Sequence, residues 1–453
     1  MAWLKKHGNF YFGNAYLDAF KIITSKEKMR QLLTNSFYSN SIYLLASNVV
    51  GAVLGFVFWI IAARFYTVEQ VGISYTVISA IGLLGLFSAV GLGEGIVRFI
   101  PGSGKNATQI INTAMTITLI TSLVAGVIFL AGLGIWSPKL MFIKDNPVYM
   151  ISFILLTMIF PLATLMDNWY LAWRRADFIF YRGATFNVLK LGFAIVVAAI
   201  MSSIGILVSW SISLLIAFII GIFFFIPRMQ KDYRPSFVIK RDVVSNLFKF
   251  SFVNYLFNLL WSGTAMLLPI IVVNLLGGEA SGYFSIAWSL GTVLMMIPSA
   301  ISTSLFAEGS NDHSTMSANI KRSLWMSFIL LVPSILILYF IAGWLLSIFK
   351  PAYAANSITL LRILLVSTLP VTINIIYINI KRVEKKLSTI LLASAALAVI
   401  NIGLSYILLP RIGINGVGYA WLVSHGIISI CIIVTFVWRR TFKKASVPHK
   451  PQQ

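Results

Sequence analysis

Residues 40–63 read NSIYLLASNVVGAVLGFVFWIIAA, a stretch of 24 residues without a charged side chain. At 1.5 Å per residue, a helix of this length is about 36 Å long, enough to cross the roughly 30 Å hydrocarbon core of a bilayer. The apolar residues run on without the two-residue alternation that a strand of a membrane β-barrel requires. The stretch therefore predicts a transmembrane helix.

Similar apolar stretches recur along the rest of the 453-residue chain, which is 58% hydrophobic and 11% charged with a mean hydropathy of +0.89. Soluble proteins have about 45–50% apolar and about 25% charged residues, so this composition excludes a soluble or disordered protein. We predict an all-α integral membrane protein with twelve transmembrane helices. The predicted spans are 40–63, 72–97, 110–135, 148–172, 184–203, 206–226, 248–275, 281–306, 322–343, 356–380, 388–409 and 416–438.

The net charge of +22 results from 35 basic and 13 acidic residues. In a soluble protein this excess would suggest nucleic acid as a partner, but basic loops also orient membrane proteins. With the N-terminus inside, the inner segments carry 27 Lys and Arg residues, the outer loops carry 5, and three lie within spans. We therefore expect a protein of the cell membrane with both termini in the cytoplasm, and no nucleic-acid partner.

The two halves of the chain are related by a shift of 209 to 211 residues. The pairs that this shift aligns are Asn48 with Asn258, Glu69 with Glu279, Gly72 with Gly282, Pro161 with Pro370, Lys190 with Asn401 and Trp210 with Trp421. Six spans in each half give both copies the same orientation, so this is a parallel internal repeat. The sequence predicts two six-helix bundles.

The predicted domain organisation follows from the repeat and from the distribution of charge. Residues 1–36 form a basic cytoplasmic segment, for which an amphipathic surface helix and a disordered tail both remain open. The lobes are residues 37–230 and 248–440, joined by a cytoplasmic linker at 231–247, and a basic tail follows at 441–453.

Charged side chains within spans are candidate functional groups, because ionised groups are costly in hydrocarbon. Arg98, Lys190 and Arg362 lie within or at the ends of spans, where each could line a cavity or extend its charge to the lipid headgroups. Glu94 lies four residues before Arg98 on the same helix face, so the two could form a structural ion pair or a polar lining.

Two repeat-related asparagines, Asn48 and Asn258, are further candidates. An amide inside a span can hydrogen-bond to a neighbouring helix, and it can equally contact a sugar. Both interpretations remain open at this stage.

Catalysis finds little support in the sequence. Residues 102–106 (GSGKN) lack the first glycine and the final Ser or Thr of a phosphate-binding loop. The single cysteine, Cys431, excludes an intrachain disulfide and any cysteine-built metal site, and the four histidines are scattered. We expect no enzyme activity, no metal and no cofactor.

Two segments resemble a known family: residues 63–72 (ARFYTVEQVG) and residues 91–100 (GLGEGIVRFI). With the 6 + 6 parallel halves, they make residues 37–440 similar to the polysaccharide-transport branch of the multidrug/oligosaccharidyl-lipid/polysaccharide flippase superfamily, the O-antigen-type flippases. The resemblance implies a central cavity between two bundles, alternating access, and a polyprenyl-diphosphate-linked oligosaccharide as substrate. Because such a diphosphate is anionic and costly to desolvate, we expect at least one cation among Arg98, Lys190 and Arg362 to contact it.

The expected partners are membrane lipids and the lipid-linked glycan. We expect a monomer to be sufficient for transport, and the sequence does not identify a coupling ion. A drug/cation antiporter of the same superfamily and a lipid II flippase are alternatives. The antiporter is disfavoured because the clearest charges within spans are basic, and the lipid II flippase because such proteins usually have fourteen spans. A membrane glycosyltransferase would need a larger outer loop bearing carboxylates.

Overall fold

The computed structural model describes residues 36–200, 205–231, 233–311 and 316–445. The predicted N-terminal segment, apart from Ser36, and the last eight residues of the predicted tail lie outside these ranges. The described residues form fourteen helices of eight or more residues. These are α1 (Ser36–Phe65), α2 (Val68–Ala89), α3 (Leu92–Phe99), α4 (Ala107–Ala131), α5 (Pro147–Ala172), α6 (Ala176–Ile200), α7 (Gly205–Ile220), α8 (Arg241–Leu276), α9 (Gly278–Val293), α10 (Met296–Asn311), α11 (Met316–Ser347), α12 (Pro351–Val383), α13 (Leu387–Ile412) and α14 (Asn415–Ala445).

Twelve helical segments of the described residues are long and apolar enough to cross a bilayer, which confirms the predicted fold class. The predicted second span is not one helix. It divides into α2 and α3 because Val90 and Gly91 adopt left-handed conformations, with φ of 44° and 73°. The eighth span is also interrupted, between α9 and α10, but here the intervening Leu294 keeps a right-handed helical conformation, with φ of −63°. The sixth span continues beyond α7 through one π-helical turn, Gly221–Phe225, to Met229.

Each half of the chain packs its six spans in the same arrangement. In the first half α1 packs on α6, α6 on α7, and α5 on α2, α4 and α7. In the second half α8 packs on α13, α13 on α14, and α12 on α9, α11 and α14. These are the same neighbours in the same chain order, as a parallel repeat requires. The linker is shorter than predicted, because α8 already begins at Arg241, and α14 extends five residues into the predicted tail.

The two lobes meet where α2 packs against α9. At this contact the backbones approach so closely that a Cβ atom on Gly72 would lie 2.2 Å from the backbone nitrogen of Gly282. A Cβ atom on Gly282 would in turn lie 2.1 Å from the carbonyl oxygen of Val68. Only glycine permits this approach, and the two glycines are the repeat-related pair. We call this end of the bundle, where the turns before α2 and α9 lie, the short-turn end, and the opposite end the linker end.

Candidate functional site

A cavity of about 530 Å³ lies between the lobes in the middle of the bundle. Helices of both lobes contribute to its wall. Its lining includes five tryptophans, Trp59, Trp210, Trp261, Trp288 and Trp421, and none of the described residues that line it carries a charge.

Hydroxyl groups supply the main polar part of the lining, from Ser79, Ser262, Ser289, Thr292 and Ser299. Aromatic faces and hydroxyls together can hold a neutral molecule that has both apolar faces and hydrogen-bonding groups. A permanent cation would find no carboxylate among these lining residues.

Trp210 and Trp421 occupy equivalent places in the two lobes, on α7 and α14. Trp210 packs edge-on against Phe186, with ring centroids 5.4 Å apart, and Trp421 packs edge-on against Trp288 at 4.9 Å. The indole Nε1 atoms of both tryptophans are buried and have no hydrogen-bond partner within the described part of the chain. Each wall of the cavity therefore has one unused indole donor.

The cavity continues sideways into a second space of about 250 Å³ between α1 and α9. Trp59, Tyr75, Ser289 and Thr292 line both spaces. On α1, this second space is bordered by Gly51 and Gly55, and a Cβ atom added at either glycine would meet nothing within 4 Å. The second space thus adjoins the central cavity on the side of the bundle formed by α1 and α9.

At the short-turn end, the lobes are held together by hydrogen bonds on both sides of the α2–α9 contact. Lys350 donates from Nζ to the carbonyl oxygen of Tyr66 (2.8 Å), and burial lowers the pKa of this lysine. Ser137 donates to the side-chain oxygen of Asn274 (2.7 Å). At the α2–α9 contact itself, the hydroxyl oxygens of Thr76 and Ser281 are 2.8 Å apart. These contacts close the cavity toward this end.

Lys190, the first of the predicted cations, lies inside the N-terminal lobe and is only 4% exposed. Its Nζ atom is 4.7 to 4.8 Å from the ring centroids of Phe58, Phe186 and Trp210, and donates to Oδ1 of Asn187 at 3.0 Å. It does not extend to the headgroups. The ring of Trp210 lines the cavity, whereas Lys190 is not among the lining residues.

The two predicted arginines lie away from the central cavity. Arg98 is exposed at the linker end, with its guanidinium 4.6 Å from the ring centroid of Phe250. It lines a separate pocket of about 750 Å³ together with Lys240 and Asp242. Arg362 lies over the ring of Tyr339 at 4.7 Å and donates to the carbonyl oxygen of the same residue.

Glu94 joins the lobes at the linker end instead of pairing with Arg98. Asn258 donates from Nδ2 to Oε1 of Glu94 at 3.4 Å, and Arg382 of the second lobe interacts with the Glu94 carboxylate electrostatically. Among the described ion pairs, none links Glu94 to Arg98. Asn48, the repeat partner of Asn258, is exposed on α1 and lines neither the cavity nor the lateral space.

Three features of the site were not predicted from the sequence. In the sequence, the cavity tryptophans are single residues in apolar spans, and no pattern marks them as a group. The internal repeat aligned Trp210 with Trp421 and so predicted only that these two occupy equivalent positions in the two lobes. Arg382 lies just beyond the predicted tenth span, 356–380, so its position gave no signal of a contact between the lobes. Asp167, in the predicted fourth span, accepts two hydrogen bonds from Arg182, and these join α5 to α6.

Twelve membrane-spanning helices around a central cavity define a multi-pass membrane transporter, and two family profiles place it in the multidrug/oligosaccharidyl-lipid/polysaccharide (MOP) superfamily. The family profile described as "Polysaccharide biosynthesis protein" matches residues 37–307, and the chain belongs to this family, the polysaccharide flippase branch of the superfamily. The profile MatE also matches, over residues 255–407. The predicted family is therefore confirmed, and these matches indicate a transporter or flippase, not an enzyme.

Among curated relatives, a Shigella flexneri protein named "Putative O-antigen transporter" is 28% identical over 155 residues, which is 33% of this chain and 37% of the relative's length. The solved structure of the lipid II flippase MurJ in an inward closed conformation has a TM-score of 0.64 at 15% identity, with 87% of each chain covered. An inward-facing multidrug resistance MATE transporter has a TM-score of 0.62 at 16% identity, covering 90% of this chain and all of that one. At these identities the two structures support the fold alone.

Proposed function

We propose that this protein is a flippase that moves a polyprenyl-diphosphate-linked oligosaccharide across the cytoplasmic membrane by alternating access, for cell-surface glycan synthesis. The observation that carries the proposal is a central cavity rich in tryptophans, without a charged lining residue, that continues sideways between α1 and α9. The three parts of such a substrate have different chemistry, and each fits a different part of the molecule.

The glycan fits the central cavity. A pyranose ring has an apolar face of C–H groups and a rim of hydroxyls, which suit tryptophan faces and serine or threonine hydroxyls respectively. Trp210 and Trp421 approach from opposite lobes, so a sugar between them contacts both halves of the transporter. The two unused indole N–H groups can donate to sugar oxygens once the walls rearrange around a ligand.

The polyprenyl chain fits the space between α1 and α9. The lipid does not need to leave the bilayer if its headgroup can enter from the side, and we propose this space, which adjoins the cavity, as the entrance. The two α1 glycines that border it, Gly51 and Gly55, add no side chain to its wall.

The diphosphate requires cations, because transfer of an anion from water into an apolar region is costly unless charged hydrogen bonds replace the water. Of the three predicted cations, Arg98 lines an open pocket, and Lys240 lines it too. We propose Arg98 as the first contact of the diphosphate at the linker end, which we take to be cytoplasmic. Arg362 and Lys190 stay candidates for contact in another state of the cycle.

A cation antiporter is less well supported. A cationic drug in a dehydrated cavity would need a carboxylate or a strong dipole for compensation. The described residues that line the cavity provide no carboxylate, and Glu94 is engaged with Asn258 and Arg382.

The proposal is tested by complementation of a bacterial strain that lacks its own O-antigen flippase, with surface glycan and membrane protein level measured in parallel. We expect Trp210→Ala and Trp421→Ala to abolish surface glycan while phenylalanine at either position preserves part of it. The matched control is Trp344→Ala, because this tryptophan is 66% exposed on the outside of α11. Wild-type surface glycan in both cavity variants would overturn the assignment of the cavity.

The diphosphate contact is tested in the same strain with Arg98→Gln and Arg98→Lys. A charge-assisted hydrogen bond contributes about 1.5–3 kcal/mol, so we expect Gln to reduce export by roughly tenfold or more and Lys to restore part of it. If Arg98→Gln, Lys190→Gln and Arg362→Gln together still export normally, no predicted cation contacts the diphosphate.

A further inference from the structure

The most unusual charged group among the described residues is Lys190. Lys190 lies ten residues from the nearer end of α6, Ile200, or roughly 15 Å along the helix at 1.5 Å per residue. Three aromatic rings surround it, one each from α1, α6 and α7, and its only recorded hydrogen bond goes to the neutral amide of Asn187. A buried lysine normally pairs with a carboxylate, and here no described ion pair includes it.

The charged and titratable groups on the elements packed around Lys190 are engaged elsewhere or lie at a distance along their helices. Helix α7 contributes none. The described groups of this kind on α1, α5, α6 and the turn after α1 are Tyr43, Arg64, Tyr66, Tyr149, Asp167, Tyr170, Asp177, Tyr181 and Arg182. The nearest ion pair is Asp167 with Arg182, and Arg182 lies eight residues before Lys190, about 12 Å along the helix. Tyr66 donates its phenol proton to the carbonyl of Ala194, one turn beyond Lys190.

Two opposing effects therefore act on this amine. Burial in an apolar lobe disfavours a charge, whereas the negative faces of three aromatic rings and one amide oxygen favour an ammonium group. Because no described carboxylate pairs with the amine, the position of a single ring can shift the balance between its charged and neutral forms.

One of those rings belongs to the cavity wall. Trp210 contacts Lys190 on one side and lines the central cavity on the other, so any movement of this indole changes the surroundings of the amine. In the second lobe, the residue equivalent to Lys190 is Asn401, which donates to Ser424 and cannot take up a proton at ordinary pH. The two lobes thus share the tryptophan but not the lysine; in the second lobe Trp421 packs instead against the buried ring of His425, with ring centroids 4.5 Å apart.

We propose that Lys190 is a proton-binding site of the N-terminal lobe, whose occupancy is coupled through Trp210 to the state of the central cavity. The inference rests on the proposed function only in treating this cavity as the transport path. The ligand is a proton, and its binding is N–H bond formation at the free amine, with release reversing that step. The site would couple proton binding to the movement of the lobe.

The experiment measures intrinsic tryptophan emission of the purified full-length protein in lipid nanodiscs between about pH 5 and about pH 10, without any glycan. We expect the wild type to show a transition that is absent in Lys190→Gln and Lys190→Met. Lys190→Arg keeps its cation over this whole range, so its emission should stay at the acidic wild-type level. Lys139→Gln, which changes an exposed lysine at the short-turn end, is the matched control and should titrate like the wild type.

Two further variants assign the signal to the proposed contact. Trp210→Phe keeps an aromatic face but removes the reporting indole, so the Lys190-dependent transition should disappear. Trp421→Phe removes the equivalent indole of the other lobe and should leave the transition in place. Superimposable curves for wild type and Lys190→Gln, or a transition that survives in Trp210→Phe, would overturn the proposal.

The result is independent of glycan export. A protein that titrates at Lys190 but fails to restore surface glycan contradicts the proposed flippase function and leaves the proton site standing. A protein that exports glycan but shows no Lys190-dependent transition has a structural lysine that keeps one protonation state over this pH range, and the proposal is then wrong. If the neutral variants fail to fold, the comparison of Lys190→Arg with wild type, together with Trp210→Phe, still decides the question.

Discussion

Replacing Gly282 by alanine should open the short-turn end of the protein. The new Cβ atom would lie 2.1 Å from the carbonyl oxygen of Val68, where ordinary contact begins at 3.4 Å, so α2 and α9 must separate by about 1.3 Å (3.4 minus 2.1). The obstacle is backbone, which cannot rotate away as a side chain would. Such overpacking costs about 1–3 kcal/mol, which corresponds to a roughly 5-fold to 150-fold loss of the closed arrangement relative to an open one.

The separation can be measured from the dipolar broadening of continuous-wave electron paramagnetic resonance spectra of two spin labels, which reports the short distances expected at this contact. Glu69 and Glu279 are exposed, related by the repeat, and lie in the first turns of α2 and α9, so they suit cysteine replacement. The single native cysteine, Cys431, is exposed and is first changed to serine. We expect the Gly282→Ala variant to shift the label-to-label distances from a short population to a longer one.

The matched control is Gly426→Ala on α14, because a Cβ atom there meets nothing within 4 Å. It should leave the distances unchanged and slightly stabilise its helix, since alanine favours the helix over glycine. If Gly282→Ala gave the same distance distribution as the wild type and this control, the glycine contact would not be what closes this end of the molecule.

Two further predictions concern topology and the interior of the N-terminal lobe. Cysteines at Lys240 and Lys139 should react with a membrane-impermeant reagent from the cytoplasmic and the outer side respectively, as the 27 to 5 distribution of basic residues predicts; labelling of both from one side would contradict the topology. Asp167→Asn or Arg182→Met alone should lower the thermal unfolding temperature of the purified protein more than the double variant, because a single change leaves a buried charge unpaired at a cost of about 3–5 kcal/mol. Equal or additive losses would show that the pair is not coupled.

The sequence alone was enough to predict the twelve spans, the two similar lobes and the family. An apolar stretch such as 40–63 forms a transmembrane helix because of its own length and composition, whichever helices surround it. The repeat is likewise a relation along the chain, so the correspondence of Gly72 with Gly282 was readable before it was clear that the two glycines lie against each other. The contact between α2 and α9 at the short-turn end explains why both residues are glycines. The two backbones approach too closely there to leave room for a side chain.

The functional residues depended more strongly on the tertiary structure. Charge within a span was the main signal available in the sequence, and it led to Arg98, Lys190 and Arg362, none of which lines the central cavity. The pairing of Asp167 with Arg182, and not with the nearer Arg174 or Arg175, was also not readable, because it depends on how α5 and α6 are rotated against each other.

The cavity itself was decided by tertiary structure alone. Trp59, Trp210, Trp261, Trp288 and Trp421 come from five helices spread over more than three hundred residues. In an apolar span, a tryptophan facing lipid, such as Trp344, has the same local sequence character as one facing the cavity, because both sides of the helix are apolar. Hydrophobicity determines that a helix crosses the membrane, but only packing against the other helices determines which of its faces looks inward.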